Sequence, residues 1–105
     1  MQVQIHAGGK PGDHRLLVSE TETAVTASLS RFGERITRVE VHLTDTNSDQ
    51  KSGADDKRCV LEVRLAGLDP VAVTHNAPEF GPAVHGAIDK VKRVLDRTLG
   101  RLGHG

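Results

Sequence analysis

The sequence predicts an α+β fold: a two-layer β-α-β-β-β-α domain whose four-stranded sheet carries two helices on one face. Three observations predict it. Three segments between residues 37 and 75 alternate apolar and polar side chains with a period of two. Each of them keeps one polar face, which suits an antiparallel sheet covered on one side only. The last patterned stretch, Pro82 to Leu102, instead repeats apolar residues at three- and four-residue steps, the period of a helix. At 105 residues the chain reads as one domain, 1–105, large enough to bury a core without a metal or disulfide.

Gln2-Val3-Gln4-Ile5-His6 alternates and reads as a first short strand with Val3 and Ile5 inward. Ala7 to Gly12 is turn chemistry, and Asp13 can cap a helix beginning near His14. Leu17, Thr21, Ala24, Val25, Ser28, Leu29 and Phe32 then share one helical face, and Gly33 stands where a C-terminal cap belongs. Thr37 to Thr44 turns Val39, Val41 and Leu43 inward and Arg38, Glu40 and His42 outward. Arg58 to Ala66 repeats this, with Cys59, Leu61, Val63 and Leu65 inward and Arg58, Glu62 and Arg64 outward. Gly67 to Pro70 is a tight connection to a last strand, Val71 to His75. Residues 45–57 form a polar loop, expected to be mobile at its tip, and residues 103–105 are a tail.

The final helix carries an uneven charge distribution. At roughly 100° per residue, Val84, Ala87, Ile88, Val91, Val94, Leu95, Leu99 and Leu102 make the apolar face. Lys90, Arg93, Arg97 and Arg101 fall in one stripe along one flank, and His85, Asp89, Lys92 and Asp96 lie toward the other. An ordinary solvated face is one explanation, helped by i, i+4 pairs such as Asp89 with Arg93 and Lys92 with Asp96. A row of phosphates is the other, since regularly spaced cations on one side can neutralise a nucleic-acid backbone.

Composition narrows the classes. Fourteen Lys plus Arg balance fourteen Asp plus Glu, so an electrostatic function must come from local segregation. A single cysteine, with no leader and no apolar run of membrane length, is expected of a cytoplasmic protein. Two Phe and no Tyr or Trp leave no platform for stacking bases, so any RNA contact would use backbone charge and shape.

The sequence offers little to an enzyme. The glycine-rich turn lacks both the dinucleotide fingerprint and the Lys-Ser/Thr ending of a phosphate loop. Asp45, Asn47, Asp49 and Asp56 fall at calcium-loop positions, but Gln50 replaces the required Gly and strands flank the loop. His6, His14, His42, His75, His85 and His104 include no i, i+4 pair and no zinc partners, so no metal or other cofactor is expected. His75 reads as a partly buried strand residue and Cys59 as a core thiol.

Arg31 to Leu43, Asp56 to Gly67, Pro70 to Ala77 and Ala83 to Leu102 together resemble the ribosome hibernation promoting factor and ribosome-associated inhibitor family, also called sigma-54 modulation proteins. The resemblance runs from about Gln2 to Leu102 and is sharpest at Gly-Ala-Ile-Asp-Lys, Gly86 to Lys90. It implies binding to the small ribosomal subunit and its rRNA, in the channel for messenger and transfer RNA, with translation blocked by occlusion and no chemical step. No membrane and no small-molecule substrate are implied. A monomer is expected, a dimer being the alternative. Carried onto this chain, the RNA contacts fall first on Lys90, Lys92, Arg93, Arg97 and Arg101, then on Arg38, Arg58 and Arg64 of the open sheet face, then on Arg31. The first helix lacks the lysines of many relatives between Ala24 and Ser30, and His85 stands where an acid is common. The chain stops at Gly105, so ribosome pairing through a C-terminal dimerisation domain is not expected. The rivals are a free double-stranded RNA module and a small α/β hydrolase using His75 or His42.

Overall fold

The computed structural model describes residues 1–8, 15–46 and 56–104, with side chains through residue 100. The elements run β1 (Gln2–Ala7), α1 (Arg15–Leu29), a 3-10 segment (Ser30–Arg35), β2 (Ile36–Asp45), β3 (Lys57–Leu65), β4 (Val71–Ala77) and α2 (Phe80–His104). This is the predicted α+β order. The four strands form one sheet in the order β1-β2-β3-β4. α1 packs over β1, and α2 over β3 and β4.

The sheet is mixed rather than wholly antiparallel. β2, β3 and β4 form an antiparallel meander, but β1 runs parallel to β2, with His6 opposite His42 and Gln4 opposite Glu40. The physical reason is α1: a helix between two neighbouring strands returns the chain to the same end of the sheet, and the second strand then runs parallel to the first.

The core sits between sheet and helices as the alternation requires. Val39, Val41 and Leu43 of β2 and Cys59, Leu61, Val63 and Leu65 of β3 are buried, facing Val25 and Leu29 of α1 and Ala83, Ala87, Ile88, Val91 and Leu95 of α2. Val71 and Val73 are only partly buried because β4 is an edge strand, and Val94 of α2 is likewise half-buried. Pro82 occupies the first turn of α2, where its missing N–H costs nothing. The helix therefore starts at Phe80, two residues before the apolar pattern.

α1 ends earlier than its apolar pattern does. The α-helix stops at Leu29, and the chain tightens into the 3-10 segment, which keeps Phe32 against the core. Gly33 takes φ +59°, open to glycine at little cost, and turns the chain into β2. The proposed Asp13 cap and the His14 start lie outside the described residues.

Candidate nucleic-acid interface

Apart from Arg31 on the 3-10 segment and Arg101, whose side chain lies outside the described residues, the cations singled out in the sequence lie on two surfaces. One is the solvent flank of α2. The other is the sheet face that no helix covers.

On α2, Lys90 is half-buried and its Nζ donates to the backbone carbonyl of Thr74 on β4, at 2.8 Å. This sets the basic stripe along the β4 edge of the molecule, while His85, on the opposite flank, faces α1. Arg93 and Arg97 are exposed, Lys92 is half-buried, and none of the three has a side-chain partner among the described residues. The expected pairs of Asp89 with Arg93 and Lys92 with Asp96 are not formed there. Asp96 instead binds Arg31 across 3.0 Å, and that guanidinium also lies 4.3 Å from the centre of the Phe32 ring. The Arg101 side chain lies outside the described residues.

The open face is banded by the strand register. Arg38 of β2 stands opposite Arg64 of β3, and Glu40 stands opposite Glu62 in the next outward row. His42 stands between His6 of β1 and Val60 of β3, and Thr44 opposite Arg58. An acidic row thus separates Arg38 and Arg64 from Arg58. The Arg38 guanidinium is already engaged: it donates to Gln4 Oε1 at 2.7 Å, and its Nε lies 3.2 Å from Glu40 Oε2 as an ion pair without hydrogen-bond alignment. Arg58 and Arg64 are exposed, and their side chains have no partner among the described residues.

Two features of this face escape sequence reasoning. One is the acidic row, which needs the β2–β3 register to be seen. The other is a cluster of His6, Glu40 and His42, whose imidazoles stack at 4.7 Å on either side of the β1–β2 seam. Outward parity of the three residues is the only trace of it in the sequence.

The remaining candidates are held by other tasks. Lys57 Nζ lies 3.1 Å from both Asp45 and Asp56, and these hydrogen bonds raise its pKa above the ordinary lysine value. Thr46 closes the same hairpin stem, donating both N–H and hydroxyl to the Asp56 carbonyl. Two carboxylates of the proposed calcium set therefore face an ammonium group, and Asn47 and Asp49 lie outside the described residues. Cys59 is buried in the core, and burial pushes its thiol up to about 12, so it carries essentially no thiolate at neutral pH. His75 packs beneath α2 against Gly86. A cleft of about 470 Å³ lies between α1 and α2, lined by Leu17, Glu20, Thr21, Ala24, Val84 and His85. Neither His75 nor His42 lines it.

Comparison with known proteins adds to this geometry. The family described as "Sigma 54 modulation protein / S30EA ribosomal protein" matches residues 14–102. Among solved structures, the fold is similar to the N-terminal domain of Protein Y from Thermus thermophilus, with TM-score 0.68 and 17% identity over 93% of this chain and 99% of that one. It is also similar to a ribosomal subunit interface protein from Coxiella burnetii, with TM-score 0.70 and 16% identity over 95% and 99% of the two chains. None of the curated proteins matches the chain. No helix among the described residues is long and apolar enough to cross a membrane.

Proposed function

The chain belongs to the sigma 54 modulation protein / S30EA ribosomal protein family, and from that premise we propose that it is a cytoplasmic, ribosome-binding translation inhibitor of the hibernation type. It acts as a one-domain monomer, 1–105, that binds the small subunit through rRNA phosphates and fills the channel used by messenger and transfer RNA. No chemical step is involved. The observation that carries the reading is the family match across residues 14–102, which takes in α1, the whole meander and α2 as far as Leu102.

The side-chain geometry refines which residues make contact. A phosphate needs an exposed cation that gives up little on binding. Arg93 and Arg97 meet that requirement on α2, Lys92 lies half-buried toward the other flank, and Arg58 and Arg64 meet it on the sheet face. Lys90, Arg38 and Arg31 would each first have to leave a partner within the fold. They serve mainly to hold the surface that the others present. Arg101 continues the α2 stripe by sequence.

The test is cosedimentation with purified small subunits, beside a cell-free translation assay. Arg93→Glu/Arg97→Glu and Arg58→Glu/Arg64→Glu are each expected to weaken subunit binding at least about tenfold at low salt and to relieve inhibition. Unchanged cosedimentation of the first variant removes the α2 flank from the interface. Binding to bare duplex RNA as tight as to subunits would replace this reading with that of a free RNA-binding module.

A further inference from the structure

The cluster at the β1–β2 seam has a chemistry that the ribosomal reading does not use. Glu40 and His42 are two residues apart on β2 and so share the open face. The parallel register brings His6 of β1 directly opposite His42. Glu40 Oε1 lies 3.6 Å from His6 Nε2 and 3.7 Å from His42 Nε2, and the cluster's donor atoms all lie within 4.8 Å of one another. Those separations are longer than a hydrogen bond. Three potential ligand atoms therefore stand close together without bonding each other.

We propose that His6, Glu40 and His42 form a binding site for one divalent first-row transition cation of the zinc class. A tetrahedral ion with ligands at about 2.0–2.1 Å sets its donors roughly 3.3 Å apart, so the observed spacing closes on an ion by a few tenths of an ångström on the carboxylate side. Both imidazoles must splay from their near-parallel stack, at 11° between planes, to aim their lone pairs inward. They have room to do so, since both side chains are about half exposed.

The carboxylate is already oriented for this task. Arg38 holds Oε2 from one side while donating to Gln4 Oε1, which leaves Oε1 turned toward the two rings. Such outer contacts fix the direction of a ligating group. Two imidazoles and one carboxylate suit zinc and its neighbours, whereas calcium and magnesium take all-oxygen shells. With three protein ligands on an exposed face, the remaining position faces solvent.

The proposal is independent of the ribosome and is tested without it. The full chain, stripped with chelator and dialysed, is titrated with zinc chloride by calorimetry and with cobalt(II) by visible absorption. The expected result is one saturable equivalent, with nitrogen-shift changes at the His6 and His42 imidazoles and none at His85. His6→Ala, His42→Ala and Glu40→Gln should each weaken zinc binding about tenfold or more, and His85→Ala should bind as the parent does. Magnesium should produce no saturable signal. The replaced side chains line the surface, and circular dichroism checks that each variant folds. Zinc binding by His6→Ala and His42→Ala as tight as that of the parent, or no saturable binding at all, would overturn the site.

Discussion

Gly86 shows how one missing side chain fits α2 to the sheet. A glycine inside a helix costs about 0.5–1 kcal/mol relative to alanine, yet here a Cβ would overlap the His75 ring beneath it. Gly86→Ala is therefore expected to destabilise the fold by about 1–3 kcal/mol despite its better helix propensity, read from the urea midpoint. In a His75→Ala background the same change should be neutral or stabilising by up to about 1 kcal/mol. Equal losses in both backgrounds would show that the ring is not the obstacle. Cys59 gives a second residue-scale expectation. Its folded pKa of about 12 stands above the ordinary 9.0, so between those values the folded state holds the thiol proton and the unfolded state releases it. Stability is then unaffected below pH 9 and falls above it, by up to about 1.4 kcal/mol per pH unit. Cys59→Ala should be less stable overall but lack that part of the slope in alkaline denaturation curves.

At the scale of elements, the sequence exposed faces more readily than neighbours. Alternation told which side of β2 and β3 is buried, because the pleat makes parity and face the same thing. It could not tell that β1 lies parallel to β2, since pairing is decided by the path of α1. Helical period likewise found the apolar face of α2. On α1 it ran on past Leu29, because Phe32 reaches the same core from a 3-10 segment. Charge partners were the least legible. An i, i+4 rule looks only along one helix, whereas Asp96 is held by Arg31 from 65 residues away. That pair is half exposed on both sides and contributes about 0–1 kcal/mol. Of the candidate contacts, Arg58, Arg64, Arg93 and Arg97 could be recognised as outward cations. That Lys90, Arg38 and Arg31 are engaged, and that His6 meets His42, depended on tertiary register.

For the molecule as a whole, a net charge of zero hides two surfaces of different character. The α2 flank carries Lys90, Arg93 and Arg97, and the open face alternates basic and acidic rows. Salt dependence of subunit binding can separate their contributions. Engagement of Arg58, Arg64, Arg93 and Arg97 together predicts a log–log slope of about −2.8 to −3.6, at roughly −0.7 to −0.9 per phosphate. A slope near half of that would assign the contact to one surface, and the paired charge reversals identify which. Lys90 acts at this scale as well. β4 ends the sheet, and an end strand offers unused backbone groups to any other strand that drifts alongside. By tying its ammonium group to the Thr74 carbonyl, Lys90 occupies one of that strand's acceptors and sets a charge where an incoming strand would have to lie. The same side chain that the sequence sets first in the basic row thus also caps part of an exposed sheet edge.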